Sequence, residues 1–223
     1  MKYYSLFSWL ATLLIPLALL GLSLRIVLLP LFLRVEYNMP YFPPDDYGFT
    51  KGDRLRWAPY IWNYVVNDAS ISYLSDLKFD DGKPVFNERE LSHMDDVKRV
   101  VQGSFRVWYG SLAILLAVGA WAWLGGWWQA YLLGLMRGGW LMIGLAVTIG
   151  LVVLVGIVIN PNVFWDFFAE FHSLFFEGNS WLFEYSDTLI RLFPIRFWED
   201  AFLWAAAIAL AGGLGLALGL KPK

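Results

Sequence analysis

Residues 138–159 read GGWLMIGLAVTIGLVVLVGIVI, a run with no charged residue that stops at Asn160-Pro161. A helix rises about 1.5 Å per residue, so a run of this length covers the roughly 30 Å hydrocarbon core of a bilayer. Working outward, Ala201 to Leu220 is a second such run, ending at Lys221-Pro222-Lys223. Val107 to Met136 is also uncharged, but Gly125-Gly126-Trp127-Trp128-Gln129 reads as an interfacial exit, which places a span at 104–124. Leu6 to Leu24 is the fourth run, extended beyond Arg25 by more apolar residues and carrying Pro16 as an expected kink. It is long and lacks an A-x-A-like cleavage site, so it reads as an uncleaved signal anchor. The expected fold is an all-α integral membrane protein, a single membrane domain over 1–223. Its four transmembrane helices lie at 6–30, 104–124, 138–159 and 201–220, with outer segments at 34–103 and 160–200.

Composition agrees. Of 223 residues 58% are hydrophobic, with a mean hydropathy of +0.52, which a water-soluble domain of this size rarely reaches. Thirteen Trp, eleven Tyr and seventeen Phe suit a protein with extensive membrane interfaces. Cysteine is absent, which excludes disulfides and thiol chemistry.

Charge orients the spans. Four crossings put the N-terminus, the 125–137 connection and the C-terminus on one side, and these hold Lys2, Arg137, Lys221 and Lys223 without an acidic residue. All nineteen acidic residues fall elsewhere, twelve between Glu36 and Asp96 and seven between Asp166 and Asp200. Basic residues in short loops mark the cytoplasmic side, so both termini are expected inside and both long segments outside, at the extracytoplasmic face. The spans carry no mid-membrane Asp, Glu or His, which argues against an ion-coupled transporter. The Gly134/Gly138 and Gly215/Gly219 pairs have the spacing of close helix contacts.

The outer segments hold the only two histidines. Thr50 is placed to cap a helix over 51–66 that buries Leu55, Tyr60, Ile61, Tyr64 and Val65. Asn87-Glu88-Arg89-Glu90 has capping-box spacing and opens a helix predicted to run unbroken into the second span, with His93 on it. Glu90 and Asp96 lie three residues either side of His93, where a carboxylate can fix the tautomer of an imidazole and raise its basicity. His172 lies on a short helix crowded with Phe and Trp, capped by Asn160 or Asn162 and ended by a Gly178-Asn179 turn. Its apolar setting favours the neutral ring. A lone loop histidine is more often structural than catalytic, but two on one side point toward acid–base chemistry. A two-histidine metal site with Glu90 or Asp96 as third ligand is the weaker reading, since no His-x-x-x-His or Glu-x-x-His spacing is present. Arg25 and Arg106, at span ends, can hold a lipid phosphate or simply snorkel.

Two stretches, Glu90-Leu91-Ser92-His93-Met94-Asp95-Asp96-Val97-Lys98 and Phe171-His172-Ser173-Leu174-Phe175-Phe176, carry a resemblance. With Trp181-Leu182-Phe183 and Leu189-Ile190-Arg191-Leu192-Phe193-Pro194, they resemble the bacterial lipoprotein intramolecular transacylase (Lit) family. The likeness includes the four-span plan and covers nearly the whole chain, although residues 38–50 carry no signature of it. It implies an enzyme whose substrate partner is a diacylated bacterial lipoprotein in the cytoplasmic membrane. The sn-2 acyl chain would move from the S-linked diacylglyceryl group to the cysteine α-amine, without a cofactor or metal. It places His93 and His172 in the catalytic positions. The chemistry of the neighbours suggests His93, supported by Glu90 or Asp96, as base and His172 as acid or oxyanion donor, with the reverse assignment also open. Arg25, Trp181 and Arg191 are secondary candidates for lipid placement. Which histidine is base and which acid, and whether an acyl-histidine forms, stay open. The competing readings are another lipid-acting acyltransferase or hydrolase, and a non-enzymatic assembly or lipid-binding module. Nucleic-acid binding is excluded by the spans and the lack of a basic patch.

Overall fold

The computed structural model describes residues 2–176, 178 and 180–222. Over them the chain is helical: α1 (Lys2–Val27), α2 (Pro30–Glu36), α3 (Lys51–Val66), α4 (Ser72–Ser75), α5 (Glu88–Leu124), α6 (Trp128–Ile159), α7 (Val163–Ser173), α8 (Thr188–Leu192) and α9 (Ile195–Gly219). The one β-bridge among the described residues joins Lys78 and Pro84. Tyr4–Val27 of α1, together with α5, α6 and α9, are long and apolar enough to cross a membrane.

Contacts divide the chain into two compact units, the first comprising Met1–Val27, Ser104–Pro161 and Leu203–Lys223. Its core is Ala11, Ile15, Ala18, Leu115, Val118, Ala122, Trp127 and Tyr131. Side-chain hydroxyls of α1 bond to carbonyls of α6, Ser8 Oγ to Ala130 at 2.7 Å and Thr12 Oγ1 to Gly134 at 3.0 Å. A Cβ on Gly134 would collide with the Ser8 carbonyl, and one on Gly138 with Ile15, so this glycine pair lets α1 and α6 approach as its spacing predicts. Gly215 and Gly219 face open space instead, and the close approach of α9 to α6 is made by Gly213 against Gly139.

Two helix ends differ from the sequence reading. The connection before α6 is only Gly125-Gly126-Trp127, because Gly126 takes φ +74°, a left-handed conformation that closes the turn at once. Arg137 is therefore not a loop residue. It lies within α6, its guanidinium 5.0 Å from the Trp9 ring centroid. At the other end, α1 stops at Val27, since Pro30 opens α2 behind an extended Leu29.

The second unit comprises Leu28–Gly103 and Asn162–Phe202. Thr50 caps α3 in a full capping box with Asp53, and the buried face is Arg54, Trp57, Ala58, Ile61, Trp62, Tyr64 and Val65. Leu55 and Tyr60, expected inside, are half-buried at its margin. Trp62 stacks on Phe193 at 5.0 Å and meets Phe197 edge-on at 5.5 Å, which ties α3 to the start of α9. α5 is continuous from Glu88 through the second span, as predicted. Its 37 residues make about 55 Å of helix, longer than the roughly 30 Å a hydrocarbon core requires.

Candidate active site

The site starts from a helix cap. Asn87 Oδ1 accepts the Glu90 N–H at 3.0 Å, and Glu90 Oε2 accepts the Asn87 N–H at 2.8 Å, the reciprocal bonds of a capping box. The remaining Glu90 oxygen, Oε1, accepts the Leu189 N–H at 2.7 Å, so one buried carboxylate joins the start of α5 to α8. Asp187 repeats the connection, accepting from Asn87 Nδ2 at 2.9 Å and Arg89 Nη2 at 2.6 Å. Burial pushes the Glu90 carboxyl up to about 7, against the two N–H groups that favour its ionised form.

His93 lies one turn further along α5 and is 7% exposed. Phe176 and Phe183 meet its ring edge-on at 4.9 and 5.2 Å, and the His172 ring lies 6.2 Å away, only 21° from parallel. Both histidines of the chain thus face one aromatic enclosure. His93 Nδ1 is buried without a hydrogen-bond partner among the described residues. Desolvation, then the neighbouring His172, lowers its pKa to about 4, which keeps the ring neutral.

His172 occupies the last turn of α7, whose N-cap is Asn162. The predicted turn after it is described at Gly178, with φ +61°, while Asn179 lies outside the described residues. His172 Nδ1 is 2.7 Å from the Phe168 carbonyl oxygen. A carbonyl can only accept, so Nδ1 carries the hydrogen and Nε2 of the neutral ring holds the free lone pair. Burial lowers the His172 pKa, and the Phe168 bond opposes that shift. Phe168, Trp181 and Phe176 surround the ring at centroid distances of 4.0, 4.9 and 5.5 Å.

The other sequence candidates divide. Trp181 stands beside His172. Glu90 makes no hydrogen bond to His93; both its oxygens take backbone N–H groups. Asp96 lies at the surface, 3.8 Å from Arg99. Arg191 holds the 38–50 segment: it pairs with Asp45 at 3.2 Å, donates to the Tyr47 carbonyl and lies 3.5 Å over the Phe49 ring. Buried Arg54 completes that anchor with bonds to the carbonyls of Pro43 and Arg191. Arg25 ends α1 in the first unit. Phe176 and Phe183 stand in the quoted stretches without a role assigned there, and Asp187 meets its partners across about a hundred residues, where no local pattern signals it. Among the described residues no three His, Asp or Glu side chains cluster as a metal cage requires.

The family model for the lipoprotein intramolecular transacylase Lit matches residues 9–198. A protein of Aquifex aeolicus (strain VF5) described only as uncharacterized is 32% identical over 209 residues, spanning 94% of this chain and 90% of that one. The in meso structure of the membrane integral Lit from Bacillus cereus superposes with a TM-score of 0.68 at 17% identity, covering 96% of this chain and 93% of that chain. A histidine-to-arginine variant of the same protein gives 0.64 at 17% identity, covering 96% and 89%. At that identity the superpositions speak to the fold, a helical membrane-integral one. On the family match, which spans most of its length, the chain belongs to the lipoprotein intramolecular transacylase Lit family and is a multi-pass membrane acyltransferase.

Proposed function

We propose that this enzyme moves the sn-2 acyl chain of an S-diacylglyceryl-cysteine lipoprotein to the α-amine of the same cysteine, using His172 as base and His93 as a neutral hydrogen-bond donor. The observation that carries the reading is the pair itself. The only two imidazoles of the chain lie 6.2 Å apart between aromatic side chains, one with its tautomer set by a backbone carbonyl.

The chemistry follows from their protonation. A neutral amine must attack the ester carbonyl, and its reference pKa near 8 falls further where desolvation disfavours the ammonium. Attack forms the N–C bond and moves the carbonyl π electrons onto oxygen. His172 Nε2 takes the proton lost by nitrogen. Collapse re-forms the carbonyl and breaks the bond to the glycerol oxygen, which receives that proton from His172. The proton that leaves nitrogen ends on glycerol, so the transfer balances without water, metal or cofactor. His93, held neutral, serves better as a donor to the carbonyl oxygen through Nε2–H than as a protonated acid. This assigns the base role to His172, the opposite of pairing Glu90 with a basic His93. Amine and ester belong to one molecule, so orienting them can supply up to roughly 7–11 kcal/mol of the barrier reduction.

Glu90 is a positioning residue that fixes α8 against the turn before His93. The membrane side is read from charge: Lys2, Lys221 and Lys223 lie at the termini and every acidic residue lies outside them, which supports cytoplasmic termini and an extracytoplasmic site. Trp165, Phe167 and Phe175 are nearly half exposed on and just after α7, a surface suited to lipid acyl chains. Arg25, at the end of α1, is assigned to a lipid phosphate.

Purified enzyme incubated with a synthetic S-diacylglyceryl lipopeptide should give a product of unchanged mass whose tandem mass spectrum places the acyl chain on the α-nitrogen. His172→Ala and His93→Ala should each lower the rate by about 10²-fold or more. Near wild-type transfer by either folded variant would overturn the two-histidine mechanism, and release of free fatty acid would identify a hydrolase instead.

A further inference from the structure

Among the described residues, two buried polar atoms of this site have no hydrogen-bond partner, His93 Nδ1 and Trp181 Nε1. A buried indole N–H normally finds an acceptor, as Trp108 does with the Ala18 carbonyl at 3.0 Å. Trp127 Nε1 is also unpaired, but it is enclosed by the rings of Tyr4, Phe7 and Trp121, with no titratable group but the Tyr4 phenol among them. Trp181 differs in its neighbour, the His172 imidazole at 4.9 Å. An indole N–H can only donate, and with no acceptor among the described residues it is available to an acceptor on a bound molecule. The rings around it, Phe168 and His172 with Phe176 beyond, carry no fixed positive charge, which disfavours an acceptor already anionic in the ground state. A neutral ester oxygen that becomes charged only during reaction suits such a donor.

We propose that Trp181 is a third catalytic residue, donating its indole N–H to the ester carbonyl oxygen as that oxygen becomes the oxyanion of the tetrahedral intermediate. The assignment rests on the two-histidine reading above. Trp181 transfers no proton. It donates to the oxygen while the N–C bond forms, and the bond weakens again when the carbonyl re-forms and the glycerol oxygen leaves. Sequence places it in a Trp181-Leu182-Phe183 stretch whose Phe183 lines His93, so one short segment reaches both imidazoles.

The test separates this donor from simple packing. Trp181→Phe keeps an aromatic ring and removes the N–H, and β-(3-benzothienyl)alanine at position 181 keeps the bicyclic shape with sulfur in place of N–H. Each should lower kcat by about 100-fold with KM changed less than about threefold. Each should also weaken binding of a lipopeptide bearing a phosphonate at the sn-2 carbonyl, a tetrahedral anionic mimic. An sn-2 ether analogue, which has no carbonyl, should bind variant and wild type equally. A kcat loss below about tenfold in the benzothienyl protein, or equal weakening of the ether and phosphonate ligands, overturns the proposal. The histidine variants are assayed alongside. If they stay active, the two-histidine reading fails; if they are inactive while the position-181 variants work normally, only the oxyanion assignment fails.

Discussion

The two histidines stand on helices built in opposite ways. Around His93 one face of the first turns of α5 is buried, with Glu90, Met94 and Lys98 inside, and the cap residue, Glu90 and Asp187 tie the helix to α8 by bonds of 2.6–3.0 Å. Around His172, α7 has no buried residue and its N-cap side chain makes no capping bond. What holds it is ring contact, Phe164, Phe167 and Phe171 against Phe202 and Phe168 against Trp198. One imidazole is thus carried by a hydrogen-bonded frame, the other by a helix packed through many aromatic ring contacts. Under the proposed mechanism, that difference would set the hydrogen-bond donor on the frame and the base on the aromatic helix.

The comparison breaks first at Glu90. Glu90→Ala strips the acceptor from the buried Leu189 N–H and from the part-buried Asn87 N–H of the cap. At about 1–3 kcal/mol for the first and about 0.5–2 kcal/mol for the cap, the protein should lose roughly 1.5–5 kcal/mol. Thermal unfolding in detergent measures this. A loss under about 1 kcal/mol would mean that the frame is held elsewhere.

Titration sharpens it. The protein has only two histidines, so ¹⁵N-histidine spectra resolve each ring directly. His93 should stay neutral through the ordinary imidazole value near 6.5 and protonate only near 4, and His172 should also titrate below its ordinary value. The linkage sign follows. The folded state binds fewer protons than the unfolded chain between about 6.5 and 4, so the stability associated with the neutral His93 is complete above that window and is lost as pH falls through it. Glu90, raised to about 7, acts in the opposite sense over the upper part of that range, so the His93 contribution is read as a difference. Relative to His93→Phe, wild type should lose stability on acidification from about 6.5 to 4. An imidazole inflection at 6.5 in the folded protein would contradict the buried, uncharged site.

Much of this was legible wherever the cause was local. The Thr50 and Asn87 caps are set by partners three residues away, and the four spans by uninterrupted apolar runs. Three-residue spacing suggests that Glu90 and His93 share a face, yet the carboxylate turns away from the imidazole. Helical side chains lean toward the N-terminus, so this carboxylate reaches back to Asn87 and across to Leu189 rather than forward to the imidazole. The turn before α6 was read too long because Arg137 looked like a loop charge, whereas Trp9, far away in sequence, gives it a ring within the first unit. The tautomer of His172 was beyond sequence altogether, since any helix could offer a carbonyl one turn back and only the ring's rotation makes Phe168 its partner.

The smallest effect is expected on the other side of the comparison. Trp165 of α7 is about half exposed and stacks only at its edge of the helix, on Phe168 at 6.1 Å. Trp165→Ala should change unfolding free energy in detergent by no more than about 0.5 kcal/mol, as for surface positions free of a special role. Its consequence should appear in lipid instead. With the substrate in vesicles, an indole lost from a lipid-facing helix should raise the apparent KM while leaving kcat unchanged, because the imidazoles and their partners are untouched. The contrast with Glu90→Ala then becomes a double dissociation, one substitution acting on stability and the other on substrate capture. If Trp165→Ala instead destabilises the protein as much as Glu90→Ala does, α7 belongs to the frame, and both histidines are held by the same rigid construction.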